Sequence, residues 1–176
     1  IVWTLHDMNP FTGGCHYDNE CGRHIDQCGA CPALGSELVN DPSRRIWNRK
    51  AKVFRQLPAD RLHIVAPSSW LRREAQNSSL FKPFRKHHIP YGIDTEEFAP
   101  RDQHFSRELL GLPKDSRIVL FIAANLTNQR KGAHLLFEAL SRLASIENLL
   151  LVSLGSNSNT LNTQLPIAHL GNISDD

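Results

Sequence analysis

Ile118-Val119-Leu120-Phe121-Ile122-Ala123-Ala124 is the stretch on which the fold turns, read together with the segment that runs on to residue 154. Seven apolar residues without a break suit a strand buried on both faces. The run at 125–132 is polar and ends on Gly132, as a loop should. Beyond it, Leu135, Leu136, Ala139, Leu140 and Leu143 recur at helical spacing, and Leu149-Leu150-Leu151-Val152-Ser153-Leu154 reads as a second apolar strand. Strand, helix and strand within residues 118–154 form a βαβ unit, which implies a parallel sheet and a right-handed crossover. Residues 167–170 can supply a further short strand.

Working outward from this unit, a helix around 105–110 stops at Gly111 with Pro113 just beyond, the usual end signals. Residues 94–102 carry turn formers and Pro100 and read as a linker between two domains. Farther upstream, an opening strand ends at His6-Asp7, and a glycine-bearing polar loop runs to Pro32. A helix is expected over 42–57, with Trp47, Ala51 and Phe54 on one face. A short strand over 61–66 and a helix from Ser69, as its cap, to about Asn77 come next. A basic stretch at 82–88 leads to Ile89-Pro90-Tyr91-Gly92-Ile93-Asp94. The class is α/β, and no internal repeat or low-complexity tract is visible.

Composition excludes several partners. The 176 residues are 40% hydrophobic and 22% charged, with a formal net charge of +2. That balance suits a globular chain and gives no basic excess of the kind nucleic-acid binding needs. The longest apolar run falls well short of the roughly 20 residues of a membrane-spanning helix. No charged-then-apolar leader opens the chain, so a cytoplasmic location is expected. Ile1-Val2-Trp3-Thr4-Leu5 already reads as mid-strand, so the natural N-terminus is expected farther upstream.

Two clusters carry chemistry. Gln129-Arg130-Lys131-Gly132 falls between the first strand of the βαβ unit and its helix, where ligands of open α/β sheets bind and helix N–H groups face outward. Arg and Lys there can hold a diphosphate, the one as a fork and the other as a point charge; they can equally be solvated loop residues. No G-x-x-x-x-G-K-[ST] or G-x-G-x-x-G run is present, which argues against a P-loop or dinucleotide fingerprint. The second cluster is Cys15, Cys21, Cys28 and Cys31, which are all of the chain's cysteines. Their spacing, C-x5-C-x6-C-x2-C, is compatible with a structural zinc, with His16 and His24 as alternative ligands. Disulfides in an exported protein and free thiols are the other readings. Residues 44–57 also combine bases with an apolar stripe. Such a helix can lie on anionic lipid, or it can pack its stripe on its own domain; the second reading is preferred.

Four segments in order resemble glycosyltransferase family 4, the retaining enzymes of the two-domain GT-B type. Trp3-Thr4-Leu5-His6-Asp7 resembles the family's T-x-H-D strand end, and Val65-Ala66-Pro67-Ser68-Ser69-Trp70-Leu71 its V-x-P-S-x-W-L segment. Ile89-Pro90-Tyr91-Gly92-Ile93-Asp94 is similar to the interdomain I-P-N-G-I-D, and Arg130-Lys131-Gly132 before Leu-Leu-x-Glu-Ala-Leu to the donor site. Thr12-Gly13-Gly14-Cys15-His16-Tyr17 and Cys28-Gly29-Ala30-Cys31-Pro32 match a cysteine-bearing subset.

The resemblance implies two facing Rossmann-like domains, both incomplete here. Residues 1–93 would be the later part of the acceptor-side domain, with its Cys-rich loop at 12–34. Residues 94–176 would be the linker and the first part of the donor-side domain. It implies transfer of a sugar, with retention, from a nucleotide-sugar donor to a carbohydrate or lipid-linked acceptor, in cell-surface polysaccharide or glycolipid synthesis. His6 would be the active-site histidine. Arg130, Lys131, Gly132 and Asn125 would bind the donor diphosphate, although Ala124-Asn125 stands where many members have Gly-Arg. Gly171 and Ile173 would lie near the nucleobase. No catalytic metal is expected, and peripheral contact with the inner membrane surface is the membrane expectation. The acidic E-x7-E segment would follow Asp176 and the glycine-rich first loop would precede Ile1, so these 176 residues alone are expected to be inactive. The alternatives are a zinc-bearing binding module and a non-catalytic glycosyltransferase-like subunit.

Overall fold

A computed structural model describes residues 1–143, 145–156 and 165–173. The chain divides into two compact units, Ile1–Thr95 and Glu96–Asp176. Each contains a three-stranded sheet with parallel pairing throughout.

In the first unit the strands are β1 (Val2–Thr4), β2 (His63–Ala66) and β3 (Arg85–His88), in the order β1-β2-β3. Helix α1 (Pro42–Phe54) starts at Asp41, whose carboxylate accepts from the Arg44 N–H, and Pro42 fits the first turn, where its missing N–H costs nothing. Helix α2 (Ser69–Asn77) is capped by Ser68 and not by Ser69, because the Ser68 hydroxyl is the one that accepts from the Leu71 N–H. Trp47 and Ala51 of α1 meet Leu71 and Ala75 of α2, Ile64 of β2, and Phe81 and Phe84 in one core. Phe81 stands edge-on to Phe54, with ring centroids 5.1 Å apart, a favoured aromatic arrangement. The apolar stripe of α1 is therefore buried against its own unit, while Arg45, Arg49 and Lys52 stay exposed.

Strand β3 departs from the expectation of a merely basic stretch. Arg85-Lys86-His87-His88 has no apolar residue, yet all four residues pair with β2, because a ladder is made by the backbone and β3 is mostly exposed.

The second unit contains α3 (Gln103–Leu109), β4 (Arg117–Asn125), α4 (Ala133–Ser141), β5 (Leu149–Ser156) and β6 (Ile167–Gly171), with sheet order β4-β5-β6. Asp102 caps α3 by accepting from the Phe105 N–H, which starts the helix two residues before the apolar pattern does. The βαβ unit read from the sequence is present, but one expectation about it fails. β4 is not buried on both faces: Leu120 is 54% and Ile122 58% exposed. The central strand is β5, where Leu149 through Ser153 are all buried. Two continuous apolar runs look alike in sequence, and sheet order decides which one lies inside.

Gly155 fixes the close approach of these strands. Its φ is +135°, and a Cβ there would lie 1.8 Å from the Ala123 carbonyl oxygen. Overpacking and backbone strain together should make Gly155→Ala cost about 2–4 kcal/mol. Urea unfolding should show the loss, and hydrogen exchange should locate it in β4 and β5 while β1 to β3 stay protected.

Candidate functional site

In a parallel α/β sheet the loops after the carboxyl ends of the strands are the usual ligand region. In the first unit three such ends carry polar side chains. After β1 come His6 and Asp7; after β2, Ser68 and Trp70; after β3, Tyr91. His6 Nδ1 lies 2.6 Å from Tyr91 Oη, and the two rings are stacked with centroids 5.7 Å apart. Tyr91 Oη also reaches the Leu5 carbonyl at 3.5 Å. His6 is exposed, so its ring is oriented by Tyr91 and still faces solvent. Tyr91 is a partner that sequence reading misses, since it lies 85 residues away along the chain and no local pattern joins the two.

Asp7, next in the chain, accepts from the Asn9 N–H at 2.8 Å and lies 2.6 Å from His16 Nδ1. Burial works to raise the Asp7 pKa, but the His16 contact and the Asn9 bond outweigh it, so the carboxyl stays below its ordinary value. His24 is 2% exposed and sits with Nδ1 3.3 Å from Asp18 and Nε2 3.4 Å from Glu74, tilted against Phe11. Of the histidines offered by the sequence as alternative metal ligands, His24 thus sits between two carboxylates and His16 has its Nδ1 against Asp7.

The four cysteines come together. Cys15, Cys21, Cys28 and Cys31 all line one cavity of about 330 Å³, and none is in a disulfide. Cys28 is buried, accepts from the Gly13 N–H at 3.1 Å, and burial pushes its thiol up to about 11. Burial likewise raises the Cys15 thiol. As placed, no three His, Cys, Asp or Glu side chains among the described residues stand close enough to hold an ion. Lys50 Nζ reaches in beside the loop, bonding the Asn9 and Thr12 carbonyls. Burial lowers its pKa, and the nearby Cys15 and Cys28 work against that.

In the second unit, Asn125 closes β4 and its Oδ1 accepts from the Thr127 N–H at 3.0 Å and the Thr127 hydroxyl at 2.8 Å. Asn128 Oδ1 accepts from the Arg130 N–H at 3.1 Å, opening a 3-10 turn over Gln129–Lys131. Gly132 then takes φ +77°, in the left-handed region that favours glycine, and serves as the N-cap of α4 without a side-chain bond. Arg130 and Lys131 are both exposed at this junction. A cavity of about 230 Å³ beside it is lined by Leu126, Asn128, Ala133 and His134 among others, and neither cation is on its wall. Gly171 ends β6 with φ +69°, and Ile173 is exposed beyond it. The remaining residues of that expected segment, 174–176, lie outside the described residues.

No family model matches the chain. Over 117 residues, 65% of its length, it is 32% identical to a protein of Escherichia coli (strain K12) that is named as the putative colanic acid biosynthesis glycosyl transferase WcaC. The chain spans 28% of the length of that relative. Among the described residues no helix is long and apolar enough to cross a membrane.

Asp41 ties the cysteine loop to α1, since its carboxylate accepts from the Cys31 N–H at 2.7 Å, the Arg44 N–H at 3.0 Å and Ser43 Oγ at 2.6 Å. Burial opposes ionisation, and these bonds overcome it, holding the carboxyl at about 2. The folded pKa lies below the roughly 3.9 of an unfolded aspartate. Its contribution is therefore complete above about pH 4 and is lost as pH falls through about 2. Acid titration should show the Cys31 and Arg44 amides losing exchange protection across that window, and Asp41→Asn should remove the dependence.

Proposed function

We propose that this chain is part of a GT-B, family 4 glycosyltransferase that moves a sugar, with retention, from a nucleotide-sugar donor to a carbohydrate or lipid-linked acceptor in polysaccharide synthesis. The 32% likeness to a protein named as a glycosyl transferase supports it, as does the loop at the carboxyl end of β4 that joins Arg130 and Lys131 to the start of α4. In this reading residues 1–93 belong to the acceptor side and the rest to the donor side.

The chemistry rests on charge. As the glycosyl bond breaks, the sugar becomes oxocarbenium-like and the nucleotide diphosphate gains negative charge. Lys131 supplies a point charge to the departing phosphates and Arg130 a fork, while Gly132 lets the backbone N–H groups at the start of α4 approach closely. Asn125, locked by its bonds to Thr127, shapes the floor of the loop. Because these groups meet charge that grows only as the bond breaks, their effect falls on the transition state more than on the ground state. His6, steadied by Tyr91, is assigned the active-site role at the sugar, and Gly171 and Ile173 border the nucleobase. Protein cations take the part that a divalent metal plays in other transferases, and α1, with its stripe in the core, leaves Arg45, Arg49 and Lys52 exposed to any anionic membrane surface.

Steady-state kinetics of the intact parent, beside calorimetry of the free nucleotide diphosphate, tests the assignment. Lys131→Ala should lose about 2–4 kcal/mol of transition-state stabilisation, roughly 30- to 1000-fold in rate. Lys131→Arg should recover only part of it. His6→Ala should slow transfer with diphosphate binding nearly intact. Rate and binding both within about twofold of wild type for Lys131→Ala would overturn the donor-site assignment.

A further inference from the structure

The segment from Gly14 to Asn40 contains only two 3-10 turns, Arg23–Ile25 and Pro32–Leu34, and no α-helix or strand. It buries almost nothing apolar of its own: His24, Cys28 and Gly29 are its buried residues. A stretch this long without regular structure or a core needs another source of order, and small cores commonly find it in a disulfide or a metal. Disulfides are absent. What the segment does have is a cavity of about 330 Å³ on which all four cysteines of the chain converge.

We propose that Cys15, Cys21, Cys28 and Cys31 together bind one thiophilic divalent cation, zinc by ligand class, which staples the loop after β1.

Four observations carry this. No carboxylate and no imidazole shares the wall with the thiols, so the donor set is sulfur alone, the set that selects zinc over harder ions. His24 is buried between Asp18 and Glu74 and His16 turns its Nδ1 to Asp7, and neither lines the cavity. The Gly13 N–H already donates to Cys28 Sγ, the kind of outer hydrogen bond that steadies a thiolate ligand. Finally, four thiolates around a divalent ion leave net negative charge, and Arg23 on the cavity wall with Lys50 behind Cys15 and Cys28 supplies the compensating cations.

The thiols line the wall rather than meet at a centre, so binding draws them inward. Cys15, Cys21 and Cys31 can turn about χ1 toward Cys28, which the Gly13 N–H holds in place, and the ion–sulfur bonds supply the driving force. The thiol protons leave to solvent as the bonds form. Gly13 and Gly29 keep the frame tight around this change. A Cβ at Gly13 would lie 2.6 Å from the Ser43 carbonyl oxygen, and one at Gly29 2.4 Å from that of Val39. The inference stands apart from the transferase reading, since a binding module would need the staple as much as an enzyme.

The test uses the 176-residue chain purified under reducing conditions. Elemental analysis should find close to one equivalent of zinc. Replacement by cobalt should give the intense visible bands and near-ultraviolet charge transfer of a tetrahedral thiolate site. Cys31→Ser should abolish stoichiometric binding, and His16→Gln should retain it. Because a cysteine variant can fail to fold, thiol alkylation of the wild-type chain with zinc and with chelator is the second measurement. Zinc should slow the labelling of all four cysteines together. Four thiols that label equally fast in both conditions, or bound metal that survives Cys31→Ser, would overturn the proposal.

Discussion

Parallel strand pairing is the constraint on which the rest of this structure depends. Two parallel strands cannot be joined by a tight turn, so every connection must leave the carboxyl end of one strand and travel back to the start of the next. In both units this gathers the loops after the strands at one edge of a sheet. Polar groups that would be costly inside the core are tolerated there, and the helices that begin there present unpaired N–H groups. His6, Asp7, Ser68 and Tyr91 in the first unit, and Asn125 and the Arg130-Lys131-Gly132 turn in the second, all lie in such positions. The chemistry of the chain is placed by topology before any individual side chain is considered.

The two units use that edge differently. In the second, the connection from β4 to α4 is short and is made rigid by side chains acting on their own backbone: Asn125 on Thr127, and Asn128 on Arg130. These residues, together with the buried Leu126, hold the shape of the loop, with the two cations exposed upon it. In the first, the connection from β1 to α1 is long and cannot be fixed by local turns alone. Asp41 anchors its far end by bonding both the Cys31 N–H and the first turn of α1. Ser78 Oγ reaches the Phe11 carbonyl from beyond α2, tying the near end to the core. Between these anchors the thiol-lined cavity is where the loop's interior lies.

How far the sequence can be read depends on what kind of force shapes each part. Periodicity reports burial, so α1 and the βαβ unit are legible from Trp47 and Ala51 and from the apolar runs around α4, whereas α2 is legible from the serines at its start. β3 is not, because Arg85-Lys86-His87-His88 is held by backbone pairing to β2 and has no burial to report. The interior position of β5 is likewise hidden, since an apolar run records that a strand can be buried and not which neighbours it has. At the candidate site the cysteines declare themselves by clustering, and Arg130-Lys131-Gly132 by its place after a strand. Tyr91 on His6 and Glu74 on His24 do not, as each contact joins residues far apart in the chain.

The cysteine loop and the end of β1 are physically joined, which bears on why such a loop would come after this strand. Cys15 is adjacent to His16, and His16 lies against Asp7, the neighbour of His6. The Met8 N–H donates to the His16 carbonyl, and Asn9 Nδ2 donates to the Gly14 carbonyl, so the contact is backed by the main chain on both sides. Lys50 completes the link by reaching from α1 to the Asn9 and Thr12 carbonyls. Whatever fixes Cys15 therefore also fixes the turn that aims His6 and Asp7. A loose loop would let that turn move by the fraction of an ångström that matters to a positioned side chain, whereas a loop ordered around its thiols would hold it. The loop's order is thus coupled to the geometry of the strand end through named hydrogen bonds, and its position in the chain is explained by that coupling as much as by its own stability.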